Sequence, residues 1–101
     1  MTIHELINKL IEGTKADAIE WESPSQGAFR HITVNGAISI VKVAGGYYSI
    51  RLYEYDTCFA SYQTLDDGIL DRSADELYSA IIDSINRAIE RKIGDVFGSI
   101  F

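Results

Sequence analysis

The stretch HITVNGAISIVKVAGGYYSIRLY, residues 31–53, decides the fold. Asn35-Gly36 and Gly45-Gly46 are hairpin turn pairs, because tight two-residue turns need positive φ and these residues adopt it at least cost. Two turns ten residues apart, between runs rich in Ile, Val and Tyr, thread three antiparallel strands. Pairing Val34 with Ala37 and Ala44 with Tyr47 sets the alternation. One face then carries Ile32, Val34, Val41, Val43, Tyr48, Ile50 and Leu52, and this set is the expected core. The other carries Phe29, His31, Thr33, Ile38, Ile40, Lys42, Ser49, Arg51 and Tyr53.

Working outward, a fourth strand over Cys58–Leu65 follows the turn at Tyr55-Asp56-Thr57. That turn can hold two or three residues; three is preferred, which turns Cys58, Ala60 and Tyr62 inward. Before the hairpins, Ile19 and Trp21 alternate with Glu20 and Glu22 in a first, one-sided strand that is broken by Ser23-Pro24-Ser25-Gln26-Gly27. Trp21 is expected to be mostly buried against the last helix. At the N-terminus, Thr2 and Glu5 have capping-box spacing ahead of an apolar stripe of Ile3, Leu6, Ile7, Leu10 and Ile11, and Gly13 supplies a left-handed stop. Ser73 and Glu76 repeat that spacing ahead of Leu77, Tyr78, Ile81, Ile82, Ile85, Ala88, Ile89 and Ile93, predicting a final helix of roughly 21 residues. The fold class is therefore α+β: a single domain over 1–101 with an N-terminal helix, a four-stranded antiparallel meander sheet and a long C-terminal helix. Both helices compete for the inner face of the sheet.

Composition narrows the function. With 101 residues, 47% apolar and 24% charged, the chain has room for one core, and its net charge of -6 does not suggest disorder. Nine Lys and Arg scattered among fifteen acids argue against nucleic acid or an anionic membrane as partner. A single cysteine allows no internal disulfide, the first fifteen residues lack a secretory pattern, and no apolar run approaches the ~18–20 residues of a membrane span. A cytoplasmic location is expected.

The order of an amphipathic first helix, Thr14, Ile19-Glu20-Trp21-Glu22, a strand meander and Leu77-Tyr78 opening a final helix resembles small uncharacterised α-β-α proteins of bacteria and their mobile elements. The resemblance implies a helix, a sheet and a helix, and a prokaryotic or phage origin. It brings no catalytic residues with it.

Chemistry-bearing residues are few. Cys58 and His31 are the only thiol and base that could pair for nucleophilic catalysis, and alternation sets them on opposite faces, so Cys58 reads as a small hydrophobe. His4 and His31 fall on different elements, and Asp66, Asp67 and Asp71 before Glu76 read as turn and helix-cap acids instead of calcium ligands. No Gly-rich phosphate loop opens a helix. No cofactor, metal or catalytic residue is expected. What stands out is Phe29, His31, Ile38, Ile40, Arg51 and Tyr53 together on the outer face, since aromatics and Arg are enriched at interfaces. These six are the candidate partner-binding residues, unless the first helix, the Ser23–Gly27 loop or the apolar tail Val96–Phe101 covers them. The tail itself either docks on its own domain or joins two chains. The expected function is a small acidic protein-binding module, an inhibitor or immunity- or anti-defence-type partner of another bacterial or phage protein, with a homodimer also open. The alternative is a small enzyme with a pocket between sheet and helices.

Overall fold

The computed structural model describes residues 1–100. Phe101, counted above in the apolar tail, lies outside them. The order is α1 (Ile3–Lys15), β1 (Glu22–Ser25), β2 (Ala28–Ile32), β3 (Gly36–Val43), β4 (Tyr47–Glu54), β5 (Thr57–Gln63), a 3-10 turn (Thr64–Asp66) and α2 (Gly68–Phe97), followed by a second 3-10 turn. The α+β class, the antiparallel sheet and the helix at each end are as the sequence indicates. The strand count is not: five strands pair in order β1-β2-β3-β4-β5. The extra one is built from the segment expected to break the run. Gln26-Gly27 makes a tight turn with Gly27 at φ 77, and Ser25 pairs with Ala28. Pro24 is tolerated there because β1 is an edge strand, where a missing N–H costs no ladder bond.

Both helices lie on one face of the sheet, which leaves a two-layer molecule with its core between them. Ile7, Leu10 and Ile11 of α1 meet Leu70, Ala74, Leu77 and Ile81 of α2, and beneath them Phe29, Ile38, Ile40, Tyr48 and Ile50. Thr2 caps α1, its hydroxyl accepting from the Glu5 N–H at 3.2 Å. Gly13 does not stop that helix. It lies within the helix, where its missing side chain makes room for Ile19, since a Cβ there would stand 2.4 Å from Ile19 Cδ1, and the left-handed residue past the end is Asp17, at φ 56. The last helix starts earlier than the Ser73 signal. Asp67 is its N-cap, accepting from Leu70 N–H at 3.0 Å, and Ser73 and Glu76 sit inside a 30-residue helix.

Buried polar groups tie α2 to the sheet. The Tyr48 N–H donates to Thr64 Oγ1 at 2.9 Å, and the Thr64 hydroxyl donates in turn to Asp71. The Tyr48 hydroxyl donates to Asp75 at 2.6 Å. Burial and then the adjacent Asp75 carboxylate push the Tyr48 phenol well above its ordinary pKa, so it stays a neutral donor. Among the described residues no helix is long and apolar enough to cross a membrane.

Candidate functional site

Which sheet face is open depends on one loop. β2 and β3 join through Thr33–Gly36, with Ile32 opposite Ala37, two residues earlier than the Asn35-Gly36 reading. An even shift leaves the faces of that pair unchanged. β3 and β4 join through three residues, Ala44-Gly45-Gly46, so that Val43 faces Tyr47 and Ile40 faces Ile50. The Gly46 N–H donates to the Val43 carbonyl at 3.1 Å, and Gly45 and Gly46 take φ of 112 and 88. A shift of one residue carries a whole strand to the other face. The helix-covered face is therefore Phe29, Ile38 and Ile40 together with Tyr48, Ile50 and Leu52.

This corrects the expected core and the expected patch together. Phe29, Ile38 and Ile40 are 9%, 5% and 0% exposed, so they belong to the core and present nothing to a partner. Ile32 and Val34, expected inside, are exposed. His31 stands at the sheet margin beside Trp21, with ring centroids 5.7 Å apart, and its Nδ1 lies 2.7 Å from the Glu20 carbonyl. A carbonyl only accepts, so Nδ1 carries the proton. Trp21 is half-buried and precedes β1 instead of lying in a strand; its Nε1–H donates to Thr14 Oγ1 at 2.9 Å. Only Arg51 and Tyr53 of the six candidates stay on the open face.

The fourth hairpin splits the prediction for β5. Tyr55-Asp56 forms a two-residue turn, and a bulge between Leu52 and Tyr53 then shifts the register. Ala60 and Tyr62 come to lie opposite Leu52 and Ile50 on the inner side, as expected. Cys58 lies opposite Tyr53 and is exposed, contrary to expectation. Three strand spacings of ~4.8 Å separate the strands of His31 and Cys58, too far for a thiol and its base. Among the described residues no group of three or more His, Cys, Asp or Glu is placed to hold a metal ion.

The open face forms a trough of about 920 Å³. Its floor is made of small or short side chains, Ala28, Ala37, Ser39, Val41 and Ser49, and its walls are Arg30, Arg51, Tyr47 and Tyr53. Cross-strand pairing lines up Glu22, Arg30, Ser39, Arg51 and Ser61 in one row across all five strands. Ser39 thus separates two arginines whose backbones are about 10 Å apart, two strand spacings. Arg30 bonds Glu22 through Nη2 at 2.9 Å, while its Nε is buried without an acceptor. Arg51 forms no ion pair among the described residues. An arginine fork presents five donors in fixed geometry, so this row offers unused donors to a carboxylate laid across the strands. The sequence held the signal for this face. Phe29, Ile38 and Ile40 are the large apolar residues of β2 and β3, and grouping them with Tyr48, Ile50 and Leu52 would have exposed Arg30, Ser39, Tyr47 and Ser49.

Compared with protein-family models, curated proteins and solved structures, the chain matches none.

Proposed function

We propose that this chain is a small protein-binding module, without catalytic activity of its own, and that it holds a segment of another protein in the trough on the outer face of its sheet. The observation that carries the reading is the row of Arg30, Ser39 and Arg51 between Tyr47 and Tyr53, over a floor of small residues that no element among the described residues covers. Tyr and Arg combine large contact area with hydrogen bonds once water is excluded. The arginine donors favour a segment bearing Asp or Glu side chains. The position of the cavity supports this reading over the alternative of a small enzyme. An enzyme built on Cys58 or His31 needs those side chains in a pocket between sheet and helices, and the trough lies on the other side of the sheet with neither in its lining. The finer reading is an inhibitor or an immunity- or anti-defence-type partner of a bacterial or phage protein, supported by small size, acidity and the resemblance of feature order.

The test is capture of a stoichiometric partner from a bacterial host lysate by the tagged chain, repeated with Arg51→Glu and Tyr53→Ala combined. Both side chains stand on the open face, so the variant should keep the wild-type circular dichroism and lose the partner. Retention of the same partner by the folded variant would move the binding surface elsewhere.

A further inference from the structure

The far half of α2 is a second surface, independent of the trough. Helix α2 has 30 residues and so runs about 45 Å, and the molecule measures 51 × 30 × 24 Å. Its buried side chains end at Ile81. Beyond that point the apolar residues continue at Ile82, Ile85, Ile89, Ile93, Val96 and Ile100, at steps of three and four that keep them on one side of the helix. Ile89, Ile93, Val96, Phe97 and Ile100 are 51–67% exposed. A shallow hollow of about 400 Å³ opens at the root of this stripe, where Trp21 approaches Ile85 and Ala88.

We propose that this stripe is the contact between two copies of the chain, each packing the far half of α2 against that of the other. The charge pattern argues for a second copy. Between Asp83 and Asp95 the helix carries Asp83, Glu90 and Asp95 against Arg87, Arg91 and Lys92, which cancel, in a chain of net charge -6. Two copies meet along this segment without the repulsion the rest of the surface would impose, and a strongly charged partner gains nothing from it. The chain's own ion pairs stay clear of the contact. Asp17 binds Arg87 and Arg91, each two residues from Ile89 and so on another side of the helix. Area agrees as well: the six exposed side chains from Ile82 to Ile100 offer on the order of 600 Å² per chain, about 1,200 Å² for a matched pair, within the range of specific interfaces. A stripe with three-and-four spacing is the surface a twin helix fits, and a two-fold contact needs no second recognition surface.

The test is sedimentation equilibrium of the whole chain across a concentration series, for wild type, Ile89→Glu, Ile93→Glu and, as control, Val34→Glu at the exposed tip of the β2–β3 hairpin. Wild type and Val34→Glu should reach the dimer mass. Each stripe variant should weaken association by about tenfold or more, with the wild-type circular dichroism kept. Ile93 is 54% exposed and lies twelve residues beyond Ile81, the last buried side chain of α2, so its variant keeps the test sharp if Ile89→Glu folds poorly. A monomeric wild type throughout the series overturns the proposal, and its flotation with phosphatidylserine vesicles would assign the stripe to a membrane surface. A dimer that survives both stripe substitutions also overturns it.

Discussion

Ile40 lies in the middle of β3 and touches no water, while Val34, six residues earlier, stands 94% exposed at a hairpin tip. Removing methyl groups from a closed core leaves a cavity as well as losing burial, and an exposed tip has neither term. Ile40→Ala should therefore cost about 2–5 kcal/mol in denaturant unfolding, and Val34→Ala less than about 0.5 kcal/mol. Equal effects would reverse the faces of the sheet. Cys58 gives a chemical check on the same geometry: being exposed, it should react with a thiol reagent in the native protein without denaturant. Among the described residues Asp17 carries the one pronounced acid shift. Arg87, Ser84 and Arg91 hold its carboxyl at about 2, below the ordinary 3.8, the Arg87 and Ser84 hydrogen bonds contributing most. Because the folded pKa is the lower one, the carboxylate stabilises the fold above pH 3.8 and that contribution is lost as the pH falls towards 2. Asp17→Asn should melt below wild type at neutral pH, and the two midpoints should converge in acid.

At the scale of elements, the β3–β4 connection decides which side chains the helices cover. Three residues, Ala44-Gly45-Gly46, join Val43 to Tyr47, and both glycines hold positive φ. Deleting Ala44 leaves a two-residue Gly45-Gly46 loop between the same flanking pair, so the sheet should survive with its native circular dichroism. Gly45→Ala should instead lose about 1–2 kcal/mol, because a Cβ at φ 112 is strained. Here lies the boundary of what could be read from residues alone. Both helices, the antiparallel hairpins and the α+β class follow from periodicity and capping, which are local. The choice between two and three loop residues is not local, since Gly-Gly satisfies either. β3 gives little help, with Ile38 and Ile40 on one face and Val41 and Val43 on the other. The candidate site inherited that ambiguity: Arg51 and Tyr53 sit where alternation within β4 put them, and Phe29, Ile38 and Ile40 went to the core with the slip. The Asp67 cap was hidden for a different reason. Asp-Asp-Gly is also a turn signal, and only packing of Leu70 against the core favours a helix from Gly68.

For the whole molecule, α1, the sheet and the first half of α2 hold the apolar core, while the second half of α2 projects with its apolar stripe outward. Everything from Ala88 to Ile100 is exposed, so these residues contribute little to the core of one chain. Their contribution should appear when copies meet. Association that favours the folded state raises its apparent stability by mass action, so the melting midpoint of a dimerising chain climbs with protein concentration. A chain ending at Arg91 keeps the Arg87 and Arg91 bonds to Asp17 and every buried residue, yet lacks Ile93, Val96, Phe97 and Ile100. That truncation should unfold in one cooperative step whose midpoint is independent of concentration. At high dilution it should match the full chain within a few degrees, the shift that about 1 kcal/mol produces in a domain of this size. Loss of cooperative unfolding on truncation would mean that the far half of α2 supports the fold of a single chain, and a concentration-independent midpoint in the full chain would leave the stripe without a second copy to bind.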